Sequence, residues 1–309
     1  MESREFNVSV IMPVYNASKY LKRAVESAIH LSDVSELLLI DDGSTDNSFE
    51  LCKQLEELYA KVALLHHPGR INLGAAASRN LGINNSKSDF IAFLDADDYY
   101  LPNRFEPDKK IFSIVTDADG TYGCNLELFE SERAKELYFA KRSSELTAVT
   151  EIIQPEILYR CLLFGGFGEF HTSTITLKKR VFEKIGLFNT TIRYVEDTEL
   201  WLKIAVSCKL YTSNLIEPQS VRIVHEENSI HEWDKIKPYK DLMHQSAFDW
   251  ILRQPVQFSV KNDFFTSLFY QFQDRYKTPS NLLWKELLRN PTIICSSYFY
   301  KKVHLMLQS

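Results

Sequence analysis

VSVIMPV, residues 8–14, carries no charge and is largely β-branched. That is the look of a strand covered on both faces, not of one alternating between core and water. Beyond it, SKYLKRAVESAIHL at 18–31 places Leu21, Ala24, Val25, Ala28 and Ile29 at helical spacing, with Ser18 as the expected N-cap. The alternation then repeats. ELLLIDDG at 36–43 reads as a buried strand, NSFELCKQLEELY at 47–59 as a helix and KVALLHH at 61–67 as a third strand. The loop PGRINLG leads into a helical AAASRNLGINN at 75–85, and DFIAFL at 89–94 is a fourth strand.

Short strands separated by helices imply right-handed crossovers and a mostly parallel sheet clad on both sides, the α/β class. Residues 1–100 therefore read as a nucleotide-binding-like half. Residues 101–231 are less regular. PNRFEPDKKIF looks helical, DGTYGCNLELF strand-like, HTSTITLKKRVFEKIGLF a strand then a helix, and RYVEDTELWLKIAVS at 193–207 a helix; FGGFGEF is a glycine-bearing connection. From 232 to 309 the chain reads as an aromatic-rich helical extension.

In open α/β sheets ligands bind beyond the carboxyl ends of the strands, and the polar clusters of the first half fall there. Tyr15 and Asn16 close the first strand, Asp41 and Asp42 the second, and Asp95, Asp97 and Asp98 the fourth. Three aspartates within IAFLDADDYY at 91–100 need explaining. Two carboxylates about 5 Å apart repel by roughly 3 kcal/mol at an effective dielectric near 20. A hydrated turn or a bound divalent cation can offset that cost. The Asp95-x-Asp97 spacing puts both side chains on one side of an extended chain, whereas a calcium loop is ruled out by the missing glycine and terminal glutamate. DADG at 117–120 has the same spacing without companions and reads as an ordinary turn. The IDDGSTDNS segment at 40–48 also fits a turn capped by Ser44 or Thr45.

Bulk properties narrow the function. At 309 residues and 45% hydrophobic composition the chain can bury a full core, and its net charge of -5 argues against a nucleic-acid partner. Five scattered cysteines without a C-x-x-C pair suggest neither a disulfide framework nor zinc. MESREFNVSVIM has no apolar signal core, and no run of 18 apolar residues occurs, so a cytoplasmic location is expected. No G-x-G-x-x-G or G-x-x-x-x-G-K-[ST] follows the first strand. Phosphate charge is then best met by Mg²⁺ or Mn²⁺ on acidic side chains.

PVYN at 13–16, DDGSTDNS at 41–48, NLGAAASRNLG at 72–82, DADD at 95–98 and VEDTELWLK at 195–203 together resemble, in order and separation, the inverting glycosyltransferases of family 2. The resemblance covers roughly residues 7–230. It implies a GT-A fold, in which a Rossmann-like nucleotide-binding half merges with an acceptor half around a continuous, mostly parallel sheet. It implies transfer of a hexose or N-acetylhexosamine from a nucleotide diphosphate sugar, with UDP expected, to a glycan or lipid-linked glycan, as in surface polysaccharide assembly.

By the same resemblance Pro13, Val14, Tyr15 and Asn16 line the base and Asp42 binds its polar edge. Arg79 either approaches the donor or pairs with a neighbouring acid. Asp95, with Ala96 beside it, touches ribose or metal, Asp97 is the principal metal ligand, and Asp98 orients the turn. RIVHEENS at 222–229 resembles a late R-x-x-H-x-x-x-S element, in which His225 completes the metal site or contacts the diphosphate. Asp197 is the expected general base with Glu196 second, since adjacent helical residues point about 100° apart; the plainer alternative is a solvated acidic first turn.

Lys203 stands where an arginine is usual. In the extension, FYQF and SSYFYKKVHLMLQ suit a peripheral membrane contact, a lid or a homo-oligomer face, and Trp233 and Tyr239 suit either core packing or sugar stacking. A sugar nucleotidyltransferase is disfavoured by the missing phosphate loop, and a noncatalytic nucleotide-sugar-binding partner of another transferase by the intact acidic motifs.

Overall fold

The computed structural model describes residues 6–140, 142–226, 228 and 233–276. The opening alternation is present: β1 (Val8–Val14), α1 (Leu21–Ile29), β2 (Val34–Asp41), α2 (Ser48–Leu58), β3 (Val62–His66), α3 (Ala75–Asn85) and β4 (Phe90–Phe93). Then come β5 (Tyr99–Tyr100), α4 (Glu106–Ile114), β6 (Gly120–Tyr122), β7 (Asn125–Phe129), α5 (Glu132–Phe139), β8 (Leu146–Thr147) and α6 (Pro155–Phe164). Next are β9 (Thr176–Lys178), α7 (Arg180–Ile185), α8 (Glu196–Ser207), β10 (Leu210–Thr212), β11 (Ser220–Val224), α9 (Trp233–Leu252) and α10 (Phe258–Tyr276).

The α/β class holds. One seven-stranded sheet runs in the order β10-β6-β9-β4-β1-β2-β3, and only β9 is antiparallel to its neighbours. It joins the two halves of the first unit without a break. A smaller sheet, β5-β11-β7-β8, packs the second half. DGTYGCNLELF is not one strand: it splits into β6 and β7, which enter different sheets. Gly123 lies at the crossing, where a Cβ would fall 1.5 Å from the Gln219 amide oxygen.

As the periodicity predicts, α1 buries Leu21, Ala24, Val25, Ala28 and Ile29. The expected caps are not used. Tyr20 precedes α1 without a side-chain cap, and the Ser18 N–H donates to Asp46 instead. At α2 it is Asp46, not Ser44 or Thr45, that accepts from the Ser48 N–H at 2.9 Å, because Ser44 and Thr45 are drawn to Asn16. α3 rides close on the sheet at Gly82, where a Cβ would meet Ile11 at 2.4 Å. That approach sets Arg79, one turn earlier, at the carboxyl ends of the strands.

α4 starts at Glu106, later than the sequence suggests, since 101–104 form a turn that aims Arg104 inward. Arg104 is fully buried. It donates to Asp108 at 2.7 Å and to the Ser173 and Ile175 carbonyls at 2.9 Å each. These bonds hold the turn at 172–174 to the sheet. The four described cysteines, Cys52, Cys124, Cys161 and Cys208, are free and buried.

The chain divides into two compact units, with the division after Ile236. In the second unit Met243, Ala247, Phe248, Ile251, Phe264, Phe265 and Leu268 form the core. NLLWKELL (281–288) and SSYFYKKVHLMLQ (296–308) lie outside the described residues. His244 sits in this core, with Nδ1 3.4 Å from the Ser267 hydroxyl. Burial, aided by the Lys240 charge, pushes its pKa down to about 4.

The folded unit therefore holds a neutral ring, whereas the unfolded chain protonates it near 6.5. The resulting stability is full above about pH 6.5 and falls as pH drops toward about 4, by on the order of 2 to 3 kcal/mol. Urea unfolding at about pH 7.5 and about pH 4.5 should show this loss in the wild type and a smaller one in His244→Gln. Equal losses in both proteins would remove His244 as the cause.

Candidate active site

The carboxyl ends of β1, β2 and β4 make one rim. Asn16 has a left-handed φ of 50°, and its Oδ1 accepts from the Thr45 and Asp46 N–H groups at 2.8 and 3.3 Å. The turn after β2 is thereby fastened to β1. Tyr15 leaves half its surface open, while Pro13 and Val14 lie in the strand behind it.

Asp42 is nearly buried, with its two oxygens accepting from Leu73 N–H at 2.8 Å and Gly74 N–H at 2.9 Å. Each oxygen retains a lone pair. His67 Nε2 lies 3.0 Å from the Ser78 hydroxyl and 3.5 Å from Asp42. One nitrogen faces both groups, so this is not a nucleophile relay, which needs the two ring nitrogens in separate roles.

The DADD turn is closed by the Asp98 N–H donating to the Asp95 carbonyl at 3.0 Å. Asp95 and Asp97 keep 32% and 29% of their side chains exposed; Ala96 between them is buried. Asp98 turns inward and accepts from the Ile223 N–H at 3.1 Å and the Ser173 hydroxyl at 3.4 Å. Burial, with the charges of Asp97 and Asp95, pushes its carboxyl well above the usual range.

Arg79 meets two acids, from inside the fold and not from a helix surface. Its guanidinium is buried and donates to Asp95 at 2.8 Å and to Glu196 at 2.6 Å. Burial works against the Asp95 charge, but Arg79 outweighs it and holds that carboxyl low. Glu196 is left as the surplus acid: burial, with Asp197 adding and Arg79 opposing, lifts it to about 7.

α8 begins from a strained residue. Val195 has φ 59° and ψ 21°, a left-handed conformation costing a β-branched side chain on the order of 1–3 kcal/mol. From it Glu196 turns in to Arg79. Asp197, half-buried, accepts from the Thr172 hydroxyl at 2.9 Å and the Thr198 N–H at 2.6 Å. Lys203 is not available as a free cation; it pairs with Glu199 at 2.5 Å.

His225 Nε2 lies 3.2 Å from Asp97, and Asn228 Nδ2 lies 3.3 Å from the same oxygen. Asp95 Oδ1 is engaged by Arg79. Asp95, Asp98 and His171 have ligand atoms within 4.8 Å of one another, and burial, with Arg222, keeps His171 below its usual pKa and hence neutral. His171, Asn228 and Thr172 were missed by sequence reasoning. The one available signal was the glycine-bearing loop entering His171, where Gly165, Gly166 and Gly168 all have positive φ.

The donor set fits a hard divalent cation: partly exposed carboxylates with imidazoles alongside.

The family model for glycosyl transferase family 2 matches residues 9–186. The minor teichoic acid biosynthesis protein GgaA of Bacillus subtilis is 26% identical over 294 residues, spanning 87% of this chain and 61% of its own length; this chain thus spans less than two thirds of that relative. The crystal structure of S. aureus TarS 1-349 in complex with UDP-GlcNAc superposes with a TM-score of 0.65 at 16% identity, over 93% of this chain and 78% of that one. The mannosyltransferase PcManGT of Pyrobaculum calidifontis, in complex with GDP-Man and Mn²⁺, gives a TM-score of 0.54 at 13% identity, over 96% and 82%. At these identities the structures share the fold.

Proposed function

The chain belongs to glycosyl transferase family 2, and from that premise we propose a metal-dependent inverting glycosyltransferase. It moves a hexose or N-acetylhexosamine from a UDP-sugar to a glycan or lipid-linked glycan acceptor. The UDP-GlcNAc bound by TarS supports the donor class, and the teichoic acid role in the name of GgaA supports a glycopolymer acceptor.

One observation carries the reading. The buried Arg79 guanidinium bridges Asp95 of the DADD turn and Glu196 at the start of α8. The acids expected to serve the donor and the pair expected to serve the acceptor are thus built into one unit.

The exposed face of Tyr15 receives the base, Asp42 reads its polar edge through a remaining lone pair, and Asp95 and Ala96 run along the ribose. Asp97 and Asp95, with His225, would hold Mn²⁺ or Mg²⁺, which when bound stabilises the charge gathering on the departing diphosphate. Asp197 takes the proton of the acceptor hydroxyl, its carboxylate oriented by Thr172 and by the Thr198 N–H. One base on the face opposite the leaving group suffices for inversion. No helix among the described residues is long and apolar enough to cross a membrane; we place the reaction in the cytoplasm, with the C-terminal helices as the peripheral membrane or self-association element.

Thermal shift against a panel of nucleotide sugars, with and without MnCl₂, tests this. A UDP-sugar at about 100 times its Kd should stabilise the chain by about 2.7 kcal/mol. Asp97→Ala should lose the manganese-dependent part. A panel in which no UDP-sugar shifts the melting temperature, with or without the metal, would refute the donor assignment.

A further inference from the structure

His225 is held from two sides by groups the reaction scheme does not use. Tyr20, the residue before α1, lies parallel to the imidazole, with ring centroids 5.3 Å apart and planes 16° from coplanar. Its hydroxyl donates to Glu130 at 2.9 Å, and Lys19 Nζ lies 3.0 Å from both oxygens of that carboxylate. The Glu130 N–H in turn donates to the Val224 carbonyl at 3.0 Å, one residue before His225. Tyr20 is therefore anchored twice. Its ring rests on the imidazole, and its hydroxyl rests on a carboxylate stitched to the strand that carries the imidazole.

Asn228, 6% exposed, accepts the His225 backbone N–H at 2.6 Å and sets Nδ2 3.0 Å from the ring Nε2. Nε2 also faces Asp97 at 3.2 Å. A ring free to turn about its own side-chain bonds would lose that aim. The stack removes the freedom.

We propose that Tyr20 is a positioning residue for the cation site, fixing the plane of His225 so that Nε2 and Asp97 face one divalent ion. This rests on the reading of Asp97 and His225 as the groups that hold the metal. The plainer account is an aromatic contact that adds stability alone, and the two differ in what the ring's removal does to metal affinity. Groups that orient a metal ligand from behind typically change affinity 10–100-fold when removed. A stabilising contact changes the melting temperature instead.

The test is a MnCl₂ titration of the full chain with UDP present, reading free Mn²⁺ by electron paramagnetic resonance. Tyr20→Leu should weaken Mn²⁺ binding about tenfold, while Tyr20→Phe, which keeps the ring, should stay within about twofold of wild type. Tyr20→Ser guards against a folding failure, because position 20 is the N-cap of α1 and serine is favoured there; it should match Tyr20→Leu. Melting temperatures without metal should be alike across the set. Wild-type Mn²⁺ affinity in Tyr20→Leu or Tyr20→Ser, with binding lost in Asp97→Asn, would overturn the role of Tyr20 and leave the metal reading intact. Wild-type affinity in Asp97→Asn would overturn the metal reading itself.

Discussion

Asp197→Asn should leave UDP-sugar binding unchanged and lower the rate of transfer by roughly 10²- to 10⁴-fold, the usual range for a removed general base. The amide has the shape of the carboxylate, and its oxygen can keep the hydrogen bond from the Thr172 hydroxyl. It cannot take a proton. Glu196 is a poor substitute, because it is buried and paired with Arg79 at 2.6 Å. The measurement is single-turnover transfer at saturating donor, with donor affinity by calorimetry as the control. Full turnover in Asp197→Asn, together with a collapse in Glu196→Gln, would exchange the roles of the two acids.

Arg104→Ala should destabilise the first unit by about 3–5 kcal/mol, the cost of removing one partner from a buried ion pair. Arg104 and Asp108 are both fully buried, 2.7 Å apart. Truncation strips the Ser173 and Ile175 carbonyls of their donors and leaves Asp108 with Thr176 and Gln219. The turn at 172–174 is the affected element, and it carries Thr172 to Asp197 and Ser173 to Asp98. Donor binding and transfer should weaken along with stability. Urea unfolding followed through Trp201, buried in this unit, gives the number; a loss below about 1 kcal/mol would mean that the network is far weaker than its burial implies.

Much of the first half was legible in the sequence because its strands are buried on both faces and its helices carry a clear apolar stripe. AAASRNLGINN was bounded to the residue, and VSVIMPV likewise. The capping residues misled for a non-local reason: Asn16 competes for the polar groups of the turn after β2, and that competition acts across 28 residues or more. In the second half the strands are three to five residues long or shorter. So short a run has no readable period, which is why the passage of the chain between two sheets at Gly123 was hidden.

Within the site, the aspartates announced themselves by crowding. His171 and Asn228 did not, because a lone histidine or asparagine carries no pattern until the fold brings it to a carboxylate. Arg79 was ambiguous for a different reason. A single guanidinium reads the same in sequence whether it meets a phosphate or two acids, and its two acid partners lie 16 and 117 residues away.

Position 195 offers an apparently easy gain to anyone engineering heat tolerance, since a glycine or asparagine would sit at ease where the valine is forced. The gain would come from the element that sends two adjacent acids in different directions. A looser joint there allows both to sample the same space, so hardiness and turnover are set against each other at one peptide unit.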